Sequence, residues 1–415
     1  MLDVQQALEA ILADNPAAAG QPVPLADALG LVLASDIASD IDSPPHDKSM
    51  VDGYAVKQLD LAAGPVVLTV NEEVTAGQVP TLPVQAGTAS RIMTGAPVPE
   101  GTEAVVMIER TQLVEEAGVE QVRIDSQPLS EGANVMPQGS SLQAGQIILS
   151  AGRQLRPIEI GLLAEVGHDP VAAIVPPEVA ILPTGNELVA ASEVPAAGQI
   201  RNSNGPLLEA QLRRCGAKPL QLGICGDDDA MLDKLIATGL SADILLLSGG
   251  VSAGVLDLVP AALARQQVQE VFHRVKIKPG KPVWYGRCHE QGRNCHVFGL
   301  PGNPVSSLVC FEVFVRPLID QLAGRRSSGL VRTEARLTDS FLQRGDRPSY
   351  HPSYCQFGSN GLEVQPLDWL GSADQKTLTA ANCLACFPAG ECEYDAGSQL
   401  QVLLLETPPF AVPGL

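Results

Sequence analysis

The stretch ADILLLSGGVSAGVLDL, residues 242–258, decides how this chain is to be read. Its aliphatic run, Ile244, Leu245, Leu246 and Leu247, is too short for an ordinary helix and stops at Ser-Gly-Gly. That pattern describes a buried strand running into a loop nearly free of side chains. An acid, Asp257, follows a few residues later. The same order recurs on both sides. EVAILPTGNEL (178–188) precedes the helical NSNGPLLEAQLRRCGA (202–217), and KPLQLGICGDD (218–228) precedes AMLDKLIATGL (230–240). CHVFGLPGNPVSS (295–307) precedes LVCFEVFVRPLIDQL (308–322). Strands that alternate with helices predict a parallel sheet covered on both faces.

Working outward, a chain of 415 residues is long enough for two to four domains. Residues 1–40 carry two helical patterns, the first with Val4, Leu8, Ile11 and Leu12 on one face. From 41 to 140, short β-rich runs such as GPVVLTV and EAVVMIE are broken by Gly and Pro, which predicts an inserted β domain. Helical spacing returns in IEIGLLAEVG (158–167), so residues 1–40 and 141–167 are expected to form one discontinuous mixed, helical domain. Residues 168–325 then make the α/β domain. Residues 326–415, with runs such as LQVLLLET, make a C-terminal β-barrel-like domain. The expected fold class is multi-domain α/β plus β.

Composition narrows the possible partners. Lys plus Arg number 27 against 47 for Asp plus Glu, a formal charge of -20, which argues against nucleic acid or an anionic membrane surface. No apolar run is long enough to span a bilayer, and the start lacks a basic signal region. The expectation is a cytoplasmic protein with no membrane partner. All nine cysteines fall at or after Cys215, in no disulfide-like pattern. Cys383 and Cys386 have zinc-like spacing but no second pair, and the six histidines show no paired ligand spacing, so small core residues are the favoured reading.

Chemistry is expected beyond the carboxyl ends of the strands, in the loops PTGNEL, CGDDD, SGGVSAG and LPGNPVSS. Glycine lets backbone amides approach a ligand, and the following helix N-terminus favours a negative group. None of these loops is a Walker A or GxGxxG sequence. Glu187, Asp227 and Asp257 each fall just past a strand, where each could be a helix cap or turn acid and the three together could hold Mg²⁺ near phosphate. VFHRVKIKPGKPVWYG (271–286), read as a strand, sets Arg274, Lys276 and Lys278 opposite Val275 and Ile277. The Pro-Gly turn brings Lys281 beside Lys278, a pair suited to an oxyanion.

Seven motifs in order carry a resemblance over nearly the whole chain. They are DKSMVDGYAV (47–56), RIMTGAPVPEGTEAVV (91–106), PTGNEL (183–188), GQIRNSN (198–204), SGGVSAGVLD (248–257), KPGKP (278–282) and GLPGNPVSS (299–307). Together they resemble the molybdopterin molybdenumtransferase (MoeA) family, which the gephyrin E domain shares. The resemblance implies four domains and a homodimer with its site between the α/β domain of one subunit and the β domain of the other. It also implies a reaction in which molybdate enters the dithiolene of adenylylated molybdopterin and AMP leaves. Carried over by position, it makes Asp52, Glu187, Asp227 and Asp257 candidates for Mg²⁺ and pyrophosphate. Lys278, Lys281 and Ser306, with Arg347 and Ser372, become candidates for molybdate. Thr94, Gly249, Gly250 and Ser252 become contacts for the pterin phosphate and nucleotide, and Pro301, Gly302, Asn303 and Pro304 further substrate contacts. Implied protein partners are the molybdopterin adenylyltransferase and recipient molybdoenzymes.

The chain departs from that pattern in several places. Met136 stands where a basic residue is expected, and Ser140 and Ser141 where acids are. Pro183, Asn186 and Asn202 replace Ser, Asp and Asp, His46 and Lys48 replace Phe and Asn, and Pro352 replaces a second basic residue. Two other readings stay open at this level: a non-catalytic molybdopterin carrier or scaffold, and a small-nucleotide hydrolase on the same α/β domain.

Overall fold

The structure, a computed structural model, describes the chain except residues 117, 126–127, 251–257, 291–292, 360 and 411–415. It divides into two compact units. One comprises Met1–Pro22, Ala28–Ala34 and Ala172–Leu415; the other comprises Val23–Asp27 and Ser35–Val171.

In the first unit a six-stranded sheet runs in the order Lys218–Gln221, Glu178–Pro183, Ile244–Ser248, Arg293–Leu300, Trp284–Glu290, Gln269–His273. The first four strands are parallel, and the last two add an antiparallel edge. The expected parallel sheet is therefore mixed, because the strands ending at Glu290 and starting at Arg293 are too close in sequence for a crossover. All five residues of Ile244–Ser248 are buried, as a near-continuous apolar strand requires when both faces are covered. Alternation sorts its neighbours. Ile181, Leu246 and Phe298 join one core with Leu208, Leu212, Val309 and Phe314 from the helices Asn204–Arg214 and Pro304–Cys310 and the π-turn Phe311–Val315. Ala180, Leu182, Leu245 and Leu247 join another with Leu232, Ile236, Ala262 and Leu263 from Asp229–Gly239 and Leu258–Arg265.

Helix Val4–Leu12 belongs to the first of these cores through Ala7, Leu8 and Ile11. A capping box starts it: Gln6 N donates to Asp3 Oδ1 at 2.8 Å, and Asp3 N to Gln6 Oε1 at 3.1 Å. Arg287 ends it from the sheet, donating through Nη2 to the carbonyls of Ala10 (2.8 Å) and Ala13 (2.9 Å). The second helical pattern expected before residue 40 does not form. Only the 3₁₀ turn Leu25–Asp27 appears, followed by the short strands Val32–Leu33 and Ile37–Ala38. Pro16, Pro22, Pro24, Gly20 and Gly30 interrupt any longer helix.

The strands Val331–Leu337, Gly361–Pro366, Ser349–Gly358, Cys383–Phe387 and Gln399–Leu404 close a barrel around Leu337, Cys355, Val364, Phe387 and Val402. Cys383 points into that interior while Cys386 packs on the other core, so the zinc-like spacing makes no paired site. In the second unit, Ala104–Met107, Gly53–Val56, Thr88–Ile92, Val66–Val74, Val119–Ile124 and Thr111–Glu116 form a six-stranded sheet. The helix Pro157–Glu165 carries the buried Glu159, which receives Arg153 and Arg156. Among the described residues no helix is long and apolar enough to cross a membrane.

The Arg287 anchor continues inward. Arg287 Nε donates to Tyr285 Oη at 2.9 Å, and that oxygen meets His296 Nδ1 at 2.9 Å. Burial first, and the Arg287 charge second, push the His296 imidazole down to about 4. An unfolded histidine titrates near ~6.5. Between these values the unfolded chain binds a proton that the folded chain refuses, so stability falls as pH drops from about 6.5 towards 4, by at most roughly 3 kcal/mol. Thermal melts across that range should decline less steeply for His296→Asn than for the parent chain.

Candidate active site

The three central parallel strands end side by side, and their ladder continues one residue into the loops. Thr184 N donates to Ser248 O (2.9 Å), Gly249 N to Leu300 O (3.1 Å), and Gly185 N to Cys225 O (2.9 Å). A cleft of about 290 Å³ opens there, bounded by Thr184, Glu187, Asn204, Gly249, Gly302 and Gln375. Gly249 has φ +93°, and a Cβ on it would lie 2.6 Å from Thr184 O, so only glycine permits this approach. Asn204 joins two of the loops: its Nδ2 donates to Ser248 Oγ and to Gly302 O, both at 2.8 Å. Its Oδ1 and the Thr184 hydroxyl are buried without a protein partner. A buried polar oxygen left in that state costs about 1–3 kcal/mol, which marks the pair as groups prepared for a ligand or water.

A second cavity, about 410 Å³, adjoins the first. Lys278, Lys281, Ser306, Arg347, Trp369 and Ser372 line it, and Asn303 borders both cavities. The lysine segment is not the strand expected from its alternation. The strand ends at His273, and Arg274 at φ +73° breaks the extended path. Alternation of burial nevertheless persists, with Val275 and Ile277 buried and Arg274 and Lys276 exposed. Single bridges replace the ladder: Lys278 N donates to Pro348 O (2.9 Å) and Tyr350 N to Lys278 O (2.8 Å). Arg347 Nη1 donates to Ile277 O at 2.9 Å. Asn303 Nδ2 donates to Ser372 Oγ (2.7 Å), and Val305 N to Ser372 O (3.1 Å). Three cationic side chains thus border one cavity, none of its described lining residues is acidic, and Asp346 Oδ1 lies 3.8 Å from Arg347 Nε. Behind them His351 is buried, its Nε2 at 2.9 Å from Leu367 O. Burial lowers its pKa, against the opposing hydrogen bond to Leu367 O and with the Lys278 charge adding to the lowering.

The predicted residues divide accordingly. Glu187, Gly249, Gly302, Asn303 and Pro304 meet at the first cavity; Lys278, Lys281, Pro301, Ser306, Arg347 and Ser372 meet at the second. Gly250, at φ +63°, is the last described residue of its loop, and Ser252 and Asp257 lie outside the described residues. Asp227 borders neither cavity; its carboxylate accepts from Asn186 Nδ2 at 2.6 Å. Asp52 and Thr94 lie in the other unit and meet each other. Asp52 Oδ1 accepts from Thr94 N (2.7 Å) and Thr94 Oγ1 (2.8 Å), the backbone bond first and the hydroxyl second lowering its pKa. Among the described residues no three His, Cys, Asp or Glu side chains gather as a metal cage. Of the acid trio expected on the rim, Glu187 borders the first cavity and Asp227 does not, while Asp257 lies outside the described residues. One or two carboxylates with ligand phosphates are a usual Mg²⁺ environment, and Glu187 fits that pattern. The sequence reading missed Thr184 and Asn204 as functional positions, although both stand in the quoted PTGNEL and GQIRNSN motifs.

Three stretches match known families. Residues 2–167 match the MoeA N-terminal region (domains I and II), 180–321 a probable molybdopterin binding domain, and 334–405 the MoeA C-terminal region (domain IV). Over 391 residues the chain is 34% identical to the molybdopterin molybdenumtransferase of Bacillus subtilis, covering 92% of this chain and 89% of that one. The chain belongs to the molybdopterin molybdenumtransferase family. The family enzyme of Staphylococcus aureus is 30% identical over 414 residues, 98% of this chain and 96% of its own. Crystal structures of a molybdopterin biosynthesis MoeA protein from Pyrococcus horikoshii superpose with TM-scores of 0.82 and 0.76 at 30% and 28% identity. They cover 98% and 97% of this chain and 100% of their own. Within the family match, the probable molybdopterin binding stretch holds the first cavity's residues from Pro183 to Pro304.

Gly249→Ala should lower the melting temperature and abolish anion binding at the first cavity. Strain at positive φ costs about 1–3 kcal/mol, and the Thr184 carbonyl must move to admit the methyl. Calorimetric titration with AMP, alongside a thermal melt, separates the two effects.

Proposed function

We propose that this chain is a molybdopterin molybdenumtransferase that inserts molybdenum from molybdate into the dithiolene of adenylylated molybdopterin, releasing AMP, as a step of molybdenum cofactor biosynthesis. The observation that carries the reading is the pair of adjoining cavities with Asn303 between them, one glycine-walled and one cationic. A glycine-rich strand end suits the phosphates of an adenylylated ligand, because they can approach its backbone without side chains intervening and the Thr184 hydroxyl, which has no protein partner, can donate to them. Lys278, Lys281 and Arg347 suit a compact dianion. Two lysines act as point charges and one planar guanidinium as a fork, with the Ser306 hydroxyl as a further donor.

Holding both ligands on one rigid edge is itself catalytic, since it replaces an encounter in water by a fixed arrangement. Cations already in place on the molybdate side keep two anions close without reorganisation when the bond to AMP breaks. Glu187 would hold Mg²⁺ together with ligand phosphates, and the ion would supply charge neutralisation at the departing AMP. A homodimer is part of the proposal, as the family resemblance implies.

The test is AMP release from purified protein loaded with adenylylated molybdopterin, with and without molybdate, followed by reconstitution of an apo-molybdoenzyme. Molybdate-dependent release with reconstitution is expected. Binding without release would identify a carrier, and release indifferent to molybdate a hydrolase. Lys278→Ala should raise the half-saturating molybdate concentration about tenfold or more while leaving AMP affinity near that of the parent, because its charge borders only the second cavity.

A further inference from the structure

The loop that ends the strand Glu178–Pro183 turns two neighbouring side chains to different tasks. Glu187 borders the first cavity; Asn186 borders neither cavity and closes on Asp227 instead. Asn186 Nδ2 donates to Asp227 Oδ2 at 2.6 Å, and Asp227 N donates to Asn186 Oδ1 at 2.8 Å. The loops are further joined by Gly185 N donating to Cys225 O at 2.9 Å and by a single parallel bridge between Thr184 and Cys225. Two glycines make room for this. A Cβ on Gly226 would lie 2.6 Å from Asn186 Oδ1, and one on Gly185 would lie 2.5 Å from the Glu187 carboxylate.

The geometry points to Asn186 as a positioning residue: its two-way bond to Asp227 fixes the loop so that Glu187 is presented to the nucleotide cavity, and makes Asp227 the anchor of that loop. This rests on the functional reading above only in naming the cavity's occupant. An amide is the side chain that suits the place, because it donates and accepts at once. A carboxylate at 186 would keep the bond from Asp227 N but set two negative oxygens against each other.

The reciprocal exchange is the decisive test, since Asp at 186 with Asn at 227 retains both bonds, the side-chain one with donor and acceptor reversed and the one from the backbone N of residue 227 unchanged. Asn186→Asp should lower the melting temperature by several degrees and weaken AMP binding, measured by calorimetry in the presence of Mg²⁺, about tenfold. Asn186→Ala should do likewise. The double variant Asn186→Asp with Asp227→Asn should recover both readouts, the affinity to within about twofold of the parent. Wild-type behaviour of Asn186→Asp, or failure of the exchange to recover the melting temperature, overturns the inference. Recovery of stability without recovery of AMP affinity also overturns it, because Asp227 would then act on the ligand itself. Should the parent bind no AMP at all, the functional reading is at fault, and the melting temperatures still decide the clamp.

Discussion

The site depends on a steric constraint, the contact between the Gly249 Cα and the Thr184 carbonyl at the ends of two adjacent parallel strands. With no room for a Cβ between them, the ladder continues past Ser248 and brings the loops together at hydrogen-bond distance. Asn204 exploits that proximity by bonding Ser248 and Gly302 at once. A wider gap there would leave the Asn204 amide short of one loop or the other. The cavity walls at the sheet edge are therefore backbone and short polar side chains, with Leu188, Ile200 and Pro304 adding apolar surface. Within them the Thr184 hydroxyl can donate to an anionic group, and Asn204 Oδ1 can accept from a hydroxyl or amine of a ligand.

The second constraint is electrostatic. A chain of formal charge -20 repels anions at long range, so an anionic substrate needs a local reversal of sign. It is made where a barrel loop meets the Pro-Gly turn, with Lys278 stitched to the barrel backbone on both sides and Arg347 tied to Ile277 O. Gly280 allows the turn to lie on the helix below, since a Cβ there would meet Cys310 Sγ at 2.4 Å. The barrel domain thus helps to build the second cavity, because it supplies Arg347 and Ser372 and holds Lys278 in place.

Much of this organisation was legible in the chain itself. Unbroken aliphatic runs ending in glycine located the sheet and its functional edge, because burial on both faces and close approach of backbone each demand a narrow set of residues. The lysine pair was legible for a different reason: alternating charge survives as alternating burial even where the backbone is not a strand. What could not be read was which way side chains turn within a loop. Glu187 and Asp227 follow strand ends with equal plausibility, yet one borders the cavity and the other is held by Asn186. Nor does local spacing reveal that Val4–Leu12 docks on the sheet, since its anchor, Arg287, lies 277 residues from Ala10.

Loop amides and pairings give these two constraints a common logic. The acids that follow Cys225 are engaged by neighbouring groups. Asp227 accepts from Asn186, Asp228 caps its helix through Met231 N, and Asp229 and Asp233 share Arg265. Asn202, a neutral residue where an acid is the common choice, uses its Oδ1 to accept from Gly205 N at 2.9 Å and so helps start the helix Asn204–Arg214. Glu187 faces the cavity alongside Arg201, whose Nε donates to Glu193 O at 2.8 Å. Hydrogen bonds from neutral groups fix where Asp227 and Asp228 point without neutralising them, whereas Arg265 offsets the charge of Asp229 and Asp233. The first cavity therefore presents an entering ligand with Glu187 and Arg201, charges of opposite sign, while Asp227 and Asp228 are turned to hydrogen bonds within their own loop.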